Sequence, residues 1–104
     1  MAQYDTDREE MIARAFGAGV SMICIGVDFE SSRAGIELAQ KHEHLWSTVG
    51  LHPNDNLHEV FDPAQYETLL QMPKVVGMGE IGLDYYRTPD PADQAIQKKR
   101  FEEQ

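Results

Sequence analysis

The sequence predicts an α/β fold in which about three consecutive βα units build a parallel sheet. Three observations carry that prediction. Apolar runs at 21–27, 45–51 and 75–79 each give way to a polar or glycine-containing turn. They are nearly continuous rather than alternating, which suits strands covered on both faces better than half-exposed strands. Segments with apolar residues at helical spacing separate them, and strands alternating with helices of about 10 to 15 residues point to right-handed crossovers in a parallel sheet.

Each element has its own signal. Thr6-Asp7-Arg8-Glu9 has the spacing of a capping box, and Met11, Ile12, Ala15 and Phe16 recur behind it at helical spacing. Gly17 and Gly19 stop that helix. The run 21–27 is the first strand, followed by Asp28, after which Ser31 and Ser32 can cap a helix carrying Ala34, Ile36, Leu38 and Ala39. The run 45–51 is the second strand, and His52-Pro53 closes it because proline cannot donate to a ladder. Asp62-Pro63 reads as an N-cap with proline at the first helical position, in a helix that continues through Tyr66, Leu69 and Leu70 until Met72-Pro73. The run 75–79 is the third strand. Beyond Pro89 and Pro91 a last helix begins near Ala92 or Asp93, with Ala95, Ile96 and Phe101 as its apolar side. No internal repeat, linker or low-complexity segment interrupts this order.

Composition bounds what such a chain can do. With 104 residues and 41% hydrophobic content it buries one modest core and forms one domain at most. Nine basic against 18 acidic residues give a formal charge of -9, which argues against a broad electrostatic grip on phosphate backbones. Any nucleic-acid contact is therefore local or metal-mediated. A single cysteine, Cys24, excludes an internal disulfide and is compatible with a reducing compartment. The polar run 3–10 after Met1 lacks an apolar signal region, and no stretch approaches the roughly 20 apolar residues of a membrane span. The expected location is the cytoplasm.

In a parallel α/β sheet the chemistry collects at the C-terminal ends of the strands. Those positions are Asp28, His52 and Glu80, a carboxylate, an imidazole and a second carboxylate able to hold hard or borderline divalent cations. Asp28 can equally cap the next helix, and His52 can simply bond a loop carbonyl. Glu80 is hardest to assign to structure alone, because a carboxylate closing an apolar strand is expensive to desolvate without a partner. His42-Glu43-His44 has the form of a metal-binding H-x-H pair. It stands after a helix and before a strand, however, on the N-terminal face where residues serve stability. His58 has no partner at diagnostic spacing, and Cys24, mid-strand with no activating base, reads as a small core residue.

Two motifs then stand out together. Thr48-Val49-Gly50-Leu51-His52-Pro53, followed by Val76-Gly77-Met78-Gly79-Glu80-Ile81-Gly82-Leu83-Asp84-Tyr85-Tyr86, resembles the TatD family of metal-dependent hydrolases, and the resemblance spans essentially all of the chain. It implies a TIM-type (β/α) barrel with a centre of one or two divalent metal ions (Mg, Mn or Zn). It also implies phosphodiester hydrolysis, with DNA as substrate of a deoxyribonuclease or exonuclease. By similarity Glu80 is the catalytic glutamate that ligates, and bridges, the metals. The family's opening H-x-H strand and its later histidines and aspartate have no counterpart here. The resemblance therefore implies an incomplete domain over 1–104, a partial barrel corresponding to strands two to four of a fold of about 250 residues.

Substrate-binding candidates cluster around Glu80. Arg87 can grip a phosphate bidentately, Tyr85 or Tyr86 can stack on a base, His52 can bind phosphate or support the metal shell, and Asp84 can orient a neighbour. The alternative is that Arg87 pairs with an acidic side chain and the tyrosines pack under the loop. Because catalytic metals usually need at least three protein ligands, the isolated segment is expected to be inactive. Two other readings remain: a non-catalytic fragment or interaction module, and an amide or ester hydrolase on the same barrel.

Overall fold

Four α-helices and three strands alternate along the described residues, 4–55 and 57–104, of the computed structural model. They are α1 (Arg8–Gly17), β1 (Met22–Ile25), α2 (Phe29–Gln40), β2 (Leu45–Val49), α3 (Pro63–Leu70), β3 (Val75–Met78) and α4 (Pro91–Glu103). The strands form one parallel sheet, as the sequence predicts, and lie in the order β1-β2-β3. Each strand is shorter than its apolar run, because the last residues of the run leave the ladder and start the loop.

Local chemistry sets most helix starts. Asp62 and Asp90 each precede a proline and accept the backbone N–H two residues on, from Ala64 at 3.1 Å and Ala92 at 2.8 Å. At α2 the cap is Asp28 rather than Ser31 or Ser32: its Oδ1 accepts the Ser31 N–H at 2.7 Å and the Ser31 hydroxyl at 2.6 Å, and Ser31 Oγ accepts the Asp28 N–H at 3.1 Å. The capping box expected at Thr6 does not form. Residues 4–7 make a turn, Asp7 becomes the N-cap without a side-chain cap bond, and Asp5 pairs with Arg8 instead.

The main core lies between the sheet and α2 and α3, where Ile36, Val49, Leu51, Phe61, Tyr66 and Leu69 are buried together. Tyr66 sits at its centre, with the Phe61 ring 4.8 Å and the Phe29 ring 6.1 Å away. Burial, and then the neighbouring Glu59 carboxylate that accepts its hydroxyl, push the Tyr66 phenol well above its ordinary range. A smaller cluster of Ile12, Ala39 and Leu45 packs beneath α1, with half-buried Met22 and Cys24 against it. Burial also raises the Cys24 thiol, in keeping with a core residue.

Two expectations fail. β1 is not covered on both faces: Ile23 and Ile25 are 54% and 49% exposed, and Val76 of β3 is 55% exposed, because the helices of the described residues pack on the opposite face. In α4 the expected apolar side is outward, with Ile96 and Phe101 42% and 45% exposed, while Gln97 and Arg100 are buried. This helix docks through polar groups onto loop backbone that needs donors and acceptors.

β2 and β3 approach closely just beyond their ladder. A Cβ added at Gly50 would lie 2.0 Å from the Gly79 carbonyl oxygen, whereas one added at Gly77 would meet nothing within 4 Å. Gly50→Ala is expected to destabilise the fold by about 1 to 3 kcal/mol in urea unfolding, with Gly77→Ala close to neutral. Equal midpoints for the two variants would contradict that close approach.

Candidate active site

Backbone bonds beyond the ladder bring the strand ends together. The Gly26 N–H donates to the Thr48 carbonyl at 3.0 Å, the His52 N–H to the Val27 carbonyl at 2.7 Å, and the Gly79 N–H to the Val49 carbonyl at 3.0 Å. These bonds place His52 and Glu80 side by side on the C-terminal rim, with His52 Nε2 3.8 Å from Glu80 Oε2. Glu80 holds its position in the left-handed region at φ 56°, where a non-glycine residue is uncommon and costs of order 1 to 3 kcal/mol. Such a conformation is concentrated at functional sites.

Hydrogen bonds set the orientation of His52. Its Nδ1 accepts the backbone N–H groups of Asn54 at 3.1 Å and Asp55 at 3.3 Å, which assigns the proton of the neutral ring to Nε2, facing Glu80. The Glu80 side chain is 46% exposed, so the expected desolvation of this carboxylate is not realised. Among the described residues it receives no hydrogen bond, and both oxygens are available for other ligands. No group of three or more His, Cys, Asp or Glu among the described residues is arranged to hold a metal ion. The donor chemistry fits a divalent cation at Glu80, as one ligand of a set rather than a complete site.

The other predicted residues separate into rim and elsewhere. Asp84 follows Glu80 on the same loop; its Oδ1 accepts the Arg87 N–H at 3.1 Å, and its Oδ2 lies 3.6 Å from Arg87 Nε. Arg87 therefore has an acidic partner, yet its side chain stays 62% exposed. Tyr85 and Tyr86 are 44% and 97% exposed and do not pack under the loop. Asp28 is committed to capping α2, so the structure decides the alternative left open for it. His42 and His44 lie at the opposite end of the sheet, His42 Nε2 3.1 Å from Glu9 and the His44 ring 4.5 Å from that of Phe16. His58 is an exposed turn residue.

Sequence reading missed the residues that hold the rim loops. Gln97 and Thr88 are buried and hydrogen-bonded to one another. Gln104 brackets Leu51, accepting its N–H at 2.8 Å and donating to its carbonyl at 3.1 Å. Arg100 donates to the carbonyls of Leu57 and Glu59. The spacing of positions 97, 100 and 104 along one helical face was the available signal.

A sequence profile of the TatD related DNase family matches residues 1–104. The chain belongs to the TatD related DNase family. Among curated relatives, the "3'-5' ssDNA/RNA exonuclease TatD" of Salmonella typhimurium strain LT2 is 37% identical over 103 residues, covering 92% of this chain and 39% of the relative. The proteins of the same name from Enterobacter lignolyticus and Cronobacter turicensis are 40% and 42% identical, covering 90% and 89% of the chain and 38% and 36% of their own lengths. The chain thus spans under two fifths of the length of these relatives. In this TatD related DNase segment the two resembling motifs supply the two sides of one rim, His52 from the first and Glu80 from the second. No described helix is long and apolar enough to cross a membrane.

Proposed function

We propose that this chain is the part of a metal-dependent nuclease that brings the catalytic glutamate and the adjacent phosphate-binding rim to a TIM-type barrel site. The observation that carries the reading is the pairing of Glu80 with His52 at the C-terminal rim, 3.8 Å apart, within a member of the TatD related DNase family. Glu80 would hold divalent metal, Mg, Mn or Zn, through its carboxylate. When bound, the metal supplies Lewis acidity toward phosphate and lowers the pKa of a coordinated water.

The chain's own residues do the rest by binding and orientation. His52 directs its Nε2–H across the rim, where it donates to a phosphate oxygen or steadies the carboxylate. Arg87, tethered through Asp84 but exposed, offers a second donor for phosphate. Tyr85 and Tyr86 expose rings on which bases can stack, an arrangement suited to single strands rather than duplex. A cytoplasmic setting, with Cys24 as a free thiol, belongs to the same reading.

The test uses the full-length protein that carries this chain. Incubated with end-labelled single-stranded DNA and RNA and with Mg or Mn, it is expected to release nucleotides from the 3' end, the polarity in the relatives' names, and to stop when the metal is chelated. Cleavage that persists in chelator, or activity confined to acyl substrates in a parallel panel, would overturn the nuclease reading.

A further inference from the structure

Helix α4 uses its buried face to fasten the two loops that carry His52 and Glu80. Gln97 is fully buried, and both ends of its amide are hydrogen-bonded. Its Oε1 accepts the Asp84 N–H at 2.8 Å, and its Nε2 donates to the Asp84 carbonyl at 3.3 Å and to Thr88 Oγ1 at 2.7 Å. These partners fix which end of the amide is which. Thr88 is 3% exposed; having accepted from Gln97, its hydroxyl donates to Asn54 Oδ1 at 2.9 Å, and its carbonyl accepts from Gln94 Nε2 at 2.9 Å. Asn54 in turn donates its backbone N–H to His52 Nδ1 at 3.1 Å.

A hydrogen-bonded chain therefore runs from Gln97 through the Thr88 hydroxyl to the side chain of Asn54, the residue whose backbone N–H holds the imidazole. It crosses from the loop after β3 to the loop after β2 and ends on the ring nitrogen opposite the one that faces Glu80. The donor and acceptor assignments are mutually consistent, so removing the Thr88 hydroxyl takes the partner from one N–H of Gln97 Nε2 and from Asn54 Oδ1.

We propose that Thr88 and Gln97 are positioning residues for the reaction: Thr88, backed by Gln97, acts through Asn54 to hold His52 with its Nε2–H toward Glu80, and Gln97 acts through Asp84 to set the loop that presents Arg87. The proposal rests on the nuclease reading above, and neither residue touches substrate. Support groups of this kind typically change metal affinity or activity by about ten- to hundredfold when removed.

In the full-length protein, Thr88→Val keeps the shape and removes the hydroxyl, Thr88→Ser keeps the hydroxyl, and Asn54→Ala removes the acceptor of that hydroxyl while leaving the backbone N–H that His52 receives. Assayed on a single-stranded oligonucleotide with Mn well below each melting transition, Thr88→Val and Asn54→Ala are expected to lower kcat about tenfold or more with little change in KM. Thr88→Ser is expected to restore kcat to within about threefold, whatever the melting temperatures. A double variant of Thr88→Val with His52→Ala is expected to match His52→Ala alone, since the first change acts through the second residue. A wild-type kcat in Thr88→Val, or losses that multiply in the double variant, would overturn the positioning role and leave the nuclease reading intact. Absence of metal-dependent cleavage by the wild-type protein would defeat the nuclease reading itself.

Discussion

Glu80→Gln, introduced into the full-length protein, is expected to reduce metal-dependent cleavage by more than about a hundredfold, beyond the ten- to hundredfold typical of residues that only support a metal ligand. The amide keeps the shape of the side chain and removes the charge that holds a cation. The same variant is expected to unfold within about 0.5 kcal/mol of wild type, because the Glu80 side chain is 46% exposed and receives no hydrogen bond among the described residues. Its backbone makes a second, opposite prediction. At φ 56° a side chain is strained and glycine is not, so Glu80→Gly is expected to abolish activity while raising stability by up to about 1 kcal/mol over Glu80→Gln. Activity assays and urea unfolding on the same preparations check both parts. Near-normal metal-dependent turnover in Glu80→Gln and Glu80→Ala would remove Glu80 from the metal shell, and equal stability of the glutamine and glycine variants would remove the strain.

Arg100→Leu is expected to lower unfolding free energy by about 2 to 4 kcal/mol. The guanidinium is 6% exposed, and it donates to the Leu57 carbonyl at 2.5 Å as well as to the Glu59 carbonyl. Burial draws its pKa below the ordinary arginine range, with the Glu59 carboxylate the main opposing influence. Leucine fills most of the volume, yet it leaves loop carbonyls without charged donors and takes the cation from beside Glu59. That carboxylate also accepts the Phe29 N–H at 3.1 Å and the Tyr66 hydroxyl at 3.2 Å, so the loss spreads toward the core. Arg100→Lys is expected to retain part of the effect, because one ammonium lacks the fork that reaches both carbonyls. A shift below about 1 kcal/mol for Arg100→Leu, in urea unfolding followed by circular dichroism, would show that α4 is held by something other than this residue.

Much of the fold was legible because its signals are local. The aspartate-proline pairs at 62–63 and 90–91 start α3 and α4 through bonds that span two residues. The apolar runs identified all three strands in their correct order. Failures arose where a local signal competed with its surroundings. Thr6 had the spacing of a cap, but the preceding turn moved the helix start one residue on. The apolar residues of α4 predicted an inward face, whereas the surface beneath that helix is loop backbone, and backbone polar groups outrank hydrocarbon as partners for a buried amide or guanidinium.

The candidate site divides along the same line. Topology alone brings strand C-termini to one rim, so His52 and Glu80 were identifiable, and His42 and His44 could be placed at the other end. Asp28, equally a rim residue by sequence position, was claimed by the Ser31 N–H and hydroxyl. That competition is settled by distances of a few tenths of an ångström, which a string of residue types does not contain.

By itself the sequence determined the elements, their parallel order, the family and the identity of the rim residues, because periodicity, capping and strand-end chemistry act within short windows. Only the tertiary structure decided that the His52 ring turns its Nε2 toward Glu80, that Glu80 is held in a left-handed backbone, and that Gln97, Arg100 and Gln104 bind the loops behind them. Those features depend on groups far apart in the chain meeting at hydrogen-bond distance, and that meeting follows from packing of the whole domain.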